Sequence, residues 1–104
     1  MATVSTSLAR GAFASAIQDI YTVPTTGTTS IITNIVVVNT SASAGSFNIL
    51  LDGVELFSET IIAGKSTISV DMKQVLNASA TPKKIRGYAS SNAVKVHISG
   101  IEIA

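Results

Sequence analysis

Cysteine and tryptophan are missing from the 104 residues, and charged side chains make up 12% of the chain, where an ordinary globular domain has about 25%. Without cysteine there is no disulfide, no thiolate metal site and no thiol nucleophile, and the chain neither needs nor reports an oxidising compartment. A single histidine, His97, is the whole imidazole supply. Between Asp19 and Asp52 there is no Asp, Glu, Lys, Arg or His. A formal net charge of +1 favours no nucleic-acid partner and no strongly acidic or basic surface role. Long hydrophobic runs are missing as well. The longest comprises the four residues from Ile35 to Val38, against the roughly 20 that a spanning helix needs, so no membrane partner is expected.

In place of charge the chain carries hydroxyls: 14 serines and 12 threonines. Mean hydropathy is +0.48. A monomer with so few charges repels its neighbours weakly, so we expect a hydroxyl-coated surface that is partly covered by another protein. The length suits one domain with one modest core. Residues 1–16 have no firm period and read as an N-terminal arm, leaving 17–104 as the domain. The start, MATVSTSLARGAFASAI, has one late arginine and no sustained apolar core, so it does not read as a secretory signal.

Strand signals dominate the rest. Seven glycines break the chain about every ten to twenty residues, a spacing that suits short antiparallel strands in a sandwich or barrel. Seven strands are predicted over 18–23, 29–39, 46–51, 54–60, 66–71, 84–89 and 93–103. In STISVDM, Ile68, Val70 and Met72 alternate with Thr67, Ser69 and Asp71, the mark of a half-buried strand. In AVKVHISGIEI, Val94, Val96 and Ile98 share a face, and the phase flips after Gly100 so that Ile101 and Ile103 become the apolar set; a slip at glycine predicts a bulge or a bend. LLDGVEL places Asp52-Gly53 between two apolar runs, the chemistry of a type I′ hairpin. Pro24 ends the strand that precedes it. DMKQVL, with Asp71 as a cap and Gln74 three residues on, predicts one or two helical turns.

The uncharged stretch SIITNIVVVN is apolar on both faces from residue 35 onward. A strand apolar on both faces is covered on both, yet one face of an antiparallel sandwich usually meets water. A second copy of the chain is the economical cover, which makes Ile35, Val36, Val37 and Val38 the candidate oligomer interface. Trimerisation there would bury the second face at roughly 25 cal/mol per Å2 of apolar surface.

No catalytic pattern emerges. His97, between Lys95 and Ser99, reads as an exposed strand residue, since no partner sits at ligand spacing. Glu55 and Glu59 lie near one hairpin and read as solvated strand positions rather than as a glycosidase pair. Neither a G-x-S-x-G elbow nor a phosphate-binding glycine loop is present. No enzyme, metal or cofactor is expected. TPKKIRGY holds the one basic cluster, with Lys83, Lys84, Arg86 and the interleaved Tyr88. It is too small for a nucleic-acid reader and becomes the candidate docking patch for another protein.

The run IYTVPTTGTTSIITNIVVVNTSASAGSFNILLDG resembles a pattern in small structural proteins of tailed bacteriophages, in which a YTVP opening leads into a Val- and Ile-rich strand ending in Asn-Thr-Ser. The ending NAVKVHISGIEI resembles the terminal strand of the same proteins. VLNASATPKKIRG, between the two, departs from that pattern. The resemblance implies a jelly-roll-like β-sandwich of seven to eight strands carried on the virion, most simply a capsid decoration or cement protein on the phage head, made in the host cytoplasm. Its implied partners are itself, as a homotrimer, and the major capsid protein or another virion protein. The alternative is a tail, collar or head-fibre module that binds a host-surface glycan or another virion protein, with Tyr21 and Tyr88 as the aromatics on which a sugar would stack.

Overall fold

Alternation of small hydroxyl and branched apolar residues gives strands almost throughout. The computed structural model describes residues 3–23, 29–77 and 83–103. Met1, Ala2, Pro24 and the 78–82 approach to the basic cluster lie outside them. Eight strands follow in order: β1 (Thr3–Ala12), β2 (Gln18–Thr22), β3 (Thr29–Asn39), β4 (Gly45–Leu51), β5 (Val54–Ile62), β6 (Ser66–Leu76), β7 (Lys84–Ala89) and β8 (Val94–Ile103). They form two sheets of four, sheet A in the order β1-β8-β3-β6 and sheet B in the order β2-β7-β4-β5. All pairings are antiparallel. Only β4 and β5 are both consecutive in sequence and paired; every other connection crosses between sheets. This wrapping is the jelly roll, two packed sheets of antiparallel strands. The fold class is an all-β antiparallel sandwich, as the sequence predicts.

The core lies between the sheets. From sheet A come Ile32, Ile35, Val37, Val94, Val96 and Ile98; sheet B supplies Phe47, Ile49, Ile62, Ile85 and Ala89. Phe47 is fully buried, its ring centroid 6.1 Å from that of Phe13 and 5.5 Å from that of Phe57. Where β3 ends, buried Asn39 ties three segments together. Its Nδ2 donates to the Ser43 carbonyl at 2.8 Å and the Ile62 carbonyl at 3.3 Å, and its Oδ1 accepts from the Ser41 amide at 3.0 Å. Asp52 and Gly53, at φ of 54° and 79°, make the predicted tight turn between β4 and β5, since a type I′ hairpin needs positive φ at both.

Three local expectations change. Residues 3–12 are not a loose arm: they pair with β8 from Thr3↔Ile103 to Ala12↔Lys95, because β8 offers a complete row of backbone donors and acceptors on that side. DMKQVL is not helical. It extends β6 as far as Ser30↔Leu76, since a one-turn helix is marginal alone and β3 supplies ladder partners on both sides of a bulge at Met72 and Lys73. The slip predicted at Gly100 falls on the neighbours instead. β8 stays regular while β1 bulges at Leu8 and β3 bulges at Thr33.

Gly100 remains inward-facing because there is no space for a side chain. A Cβ there would lie 2.3 Å from the Ile31 carbonyl oxygen and 2.8 Å from Leu8 Cδ1. Bulges recur at the sheet borders. Each of the four edge strands carries at least one: β1 at Leu8, β2 at Ile20, β5 around Ser58 and again at Leu56, and β6 across Met72 and Lys73. A bulge twists an edge away from straight pairing, and a lysine on it adds repulsion.

Candidate docking surfaces

The outward side of sheet A is built by period-2 logic. Ile35, Val37, Val94, Val96 and Ile98 are buried inward, so Val36, Val38, Lys95, His97 and Ser99 face out. The four candidate interface residues therefore divide. Ile35 and Val37, each 1% exposed, are core and unavailable to a partner. Val36 and Val38 lie on the outer face, each half-buried by neighbouring side chains.

Register fills in the rest of that face. Val36 is paired with Ser69 on one side and His97 on the other, and His97 with Arg10. Val38 lies between Thr67 and Lys95. At the other end Ile31 is flanked by Val75 and Ile101, and Val75 is 48% exposed. Between these rows Asn34 stands beside Asp71 and donates from Nδ2 to its Oδ1 at 2.9 Å. Arg10 Nε donates to His97 Nδ1 at 3.0 Å. Arg10 and Lys95 lie on β1 and β8, Asp71 lies on β6 with Lys73 at that strand's bulge, and an apolar stripe runs between and below them.

The basic cluster sits on the outer face of sheet B, and two of its three cations share one carboxylate. Lys84 Nζ lies 2.8 Å from Asp19 Oδ2, and Arg86 Nε lies 2.9 Å from Asp19 Oδ1. The Lys84 hydrogen bond, with the charges of Lys84 and Arg86, holds the Asp19 carboxyl below its ordinary value against the opposing effect of desolvation. These exposed pairs contribute little to stability. Of the three candidate docking cations, Lys83 alone makes no ion pair among the described residues. Asp19, which converts the cluster into a network, was legible only as one of six scattered carboxylates; its alignment with Arg86 comes from strand register.

Both candidate sugar platforms are already engaged. Tyr88 Oη donates to the carboxamide oxygen of buried Asn48 at 3.3 Å; that oxygen also accepts from the Glu59 amide at 3.1 Å, filling the bulge where Glu59 has φ of 45°. Tyr21 crosses the sandwich. Its Oη lies 2.5 Å from Glu102 Oε2 and 2.7 Å from Ser30 Oγ. With one proton to give, the phenol donates to the carboxylate and accepts from the fully buried Ser30. Partial burial and the hydrogen bond to Glu102 raise the phenol above its ordinary value of 10.0.

An acid whose folded-state pKa is raised stabilises the fold fully below its unfolded value and loses that contribution as pH climbs through the folded one. Stability measured by denaturant titration should therefore decline above pH 10 in the native chain and decline less in Tyr21→Phe. At neutral pH Tyr21→Phe should cost about 1.5 kcal/mol, the worth of a hydrogen bond to a charged group. Equal alkaline slopes in the two chains would remove Tyr21 as the cause.

The remaining chemistry is sparse. Among the described residues no three His, Cys, Asp or Glu side chains gather as a metal set, and no helix is long and apolar enough to cross a membrane. A groove of about 180 Å3 lies between β1 and β2, lined by Arg10, Phe13, Gln18, Asp19 and Gly87 among others. It is smaller than the roughly 300 Å3 at which small-molecule sites begin.

No family model matches the sequence, and no curated protein matches it. Similar solved structures do exist. A chain in the structure of infectious bursal disease virus, Gx strain, superposes with a TM-score of 0.54 at 11% identity, covering 97% of this chain and 30% of its own. A pentameric capsid protein from metagenomic phage sequences gives 0.39 at 14% identity, covering 96% of this chain and 59% of its own. Dimeric latent PorU from Porphyromonas gingivalis gives 0.41 at 13%, covering 97% and 9% respectively. This chain thus spans under a third of the viral chain it superposes on best among these three. What the two share is the fold: an all-β sandwich also present in a virus structure.

Proposed function

We propose that this chain is a non-enzymatic structural protein of a virion, a capsid decoration or cement protein of a tailed phage that associates with itself and docks on the head. The observation that carries the reading is the jelly roll of sheet order β1-β8-β3-β6 and β2-β7-β4-β5, which superposes on a chain of a virus structure. The phage resemblance of the YTVP and ISGIE segments supports the same role from the sequence side. Docking at a junction between capsid subunits would stabilise the assembled shell by mass action, because the ligand binds the assembled state and not the separated subunits. On sheet B, Lys83 is the cation with charge to offer an acidic capsid surface, since Lys84 and Arg86 already serve Asp19. The resemblance implies three copies, whereas the outer face of sheet A favours two, as argued below.

Density-gradient purification of particles from a culture expressing the gene in its natural setting, followed by mass spectrometry and antibody labelling, tests the role. The chain should band with filled heads and label their surface, and Lys83→Glu should lower its occupancy. Recovery of the chain only in the soluble fraction would overturn the virion assignment.

A further inference from the structure

We infer that two copies of this chain stack through the outer faces of sheet A, related by a two-fold axis parallel to the strands and running between β3 and β8; the inference rests on the self-association proposed above. Three observations on the molecule lead there. The first concerns the edges. Each of the four edge strands is bulged, so growth by adding a neighbour's strand edge to edge is disfavoured, and association falls to a face.

The second concerns which face. On sheet B Lys84 and Arg86 are already matched through Asp19, and the exposed apolar Val54 and Ile61 lie on the bulged edge strand β5, which also carries the acidic Glu55 and Glu59. The outer face of sheet A has apolar Ile31, Ile101, Val36, Val38 and Val75 set among hydroxyls, with basic Arg10 and Lys95 toward one edge and acidic Asp71 on the other, where Lys73 sits at the β6 bulge. Four strands spaced about 4.8 Å apart, each about ten residues long at about 3.3 Å per residue, present roughly 600 Å2. Two such faces bury about 1,200 Å2, where stable interfaces begin.

The third concerns the occupant. Under the stated axis β3 of one copy lies over β8 of the other, and β6 over β1. Ile31 then meets the other copy's Ile101. Val36 meets His97, and Val38 meets the stem of Lys95. Asp71 falls two residues along the strands, one outward-facing row, from Arg10 on the opposite chain, once on each side of the axis, as an isologous contact requires. No two like charges are opposed. Turning the axis perpendicular to the strands, through the Asn34 rung at the middle of β3, would lay β8 over β8 and β6 over β6 and oppose each Asp71 to its own copy. Like charges brought together in this way cost several kcal/mol. The face is thus complementary to itself in one orientation, which identifies the partner as a second copy of the chain with its strands running the same way, inside the angular range of aligned sheet packing.

Light scattering and sedimentation over a hundredfold concentration range read the outcome directly. The native chain should run at twice the 10.7 kDa monomer. Arg10→Asp and Asp71→Arg should each weaken dimerisation about tenfold or more, since each reversal replaces two attractions by two repulsions. The double reversal should return the affinity to near the native value. Val36→Lys, at the centre of the face, should leave a folded monomer by circular dichroism. A monomeric native chain, a mass of three copies, or singles that behave like the native chain would overturn the stacked dimer, as would a double reversal that fails to rescue. Because head association is read separately, a chain that decorates particles as a monomer would sink this inference and leave the virion role standing.

Discussion

Phe47→Ala should lose about 4 kcal/mol of folding stability, the largest effect expected of any single truncation in the molecule. Phe47 is fully buried at the centre of sheet B, and it is the ring on which both Phe13 and Phe57 pack, at 6.1 Å and 5.5 Å. The cost therefore has two parts: the transfer of the ring itself, and the cavity left between two aromatics that are each anchored elsewhere, Phe13 by its amide to the Val94 carbonyl at 2.9 Å and Phe57 by its place in β5. Neither is placed to collapse into the space. A domain of this size has only about 5–15 kcal/mol in total, so the variant should approach the edge of folding at 37 °C. Urea titration checks it: the midpoint should fall while the slope holds. Phe47→Leu, which keeps most of the volume, should cost less than half as much. A loss under about 1 kcal/mol for the alanine would mean that the core repacks, contrary to the close-packed interior described.

Gly100→Ala should cost about 3 kcal/mol, an unusual penalty for adding one methyl group. The added carbon would lie 2.3 Å from the Ile31 carbonyl oxygen, a backbone atom held in the β3–β8 ladder, and 2.8 Å from Leu8 Cδ1. Leu8 is a flexible side chain and can turn away; the Ile31 carbonyl can move only if the ladder opens. Gly11→Ala is the matched control in the same sheet, with nothing within 4 Å of the new atom. It should be neutral, or stabilising by about 0.5 kcal/mol through the smaller entropy of the unfolded chain. Thermal or urea unfolding of the pair decides the point, and equal effects at the two positions would show that the close approach is not what keeps residue 100 without a side chain.

Much of the architecture was legible because alternation is a local signal. The predicted span 29–39 is β3 itself, and the Asp52-Gly53 turn has both positive φ angles. What was not legible depends on partners. β1 has only Leu8 buried among its described side chains and no apolar period, so nothing within TVSTSLARGA announces a strand; β8, some ninety residues away in sequence, makes it one. Likewise a capping pattern in DMKQVL loses to the ladder that β3 offers. The interface prediction failed by half for a related reason. Ile31 and Ile35 have the same parity, yet Ile31 faces outward and Ile35 inward, because the bulge at Thr33 shifts the phase between them. A period-2 reading cannot see a bulge whose cause lies on a neighbouring strand. Arg10 and Asp71, on which the proposed stacked dimer turns, carried no mark in the sequence. They share a surface only through the β1-β8-β3-β6 order.

That order has a consequence for how the molecule is made. β8 is an inner strand of sheet A, hydrogen-bonded to β1 on one side and β3 on the other, yet it follows both in the chain. As the polypeptide leaves the ribosome, β1 and β3 must wait, unpaired with each other, until residues 94–103 emerge to fill the space between them. Closure over so long a loop is slow. For that interval the Val- and Ile-rich β3 has β6 as its one hydrogen-bonded neighbour. A nascent or truncated chain lacking β8 would leave one edge of β3, the most apolar strand of the sandwich, open to pairing with a neighbouring chain.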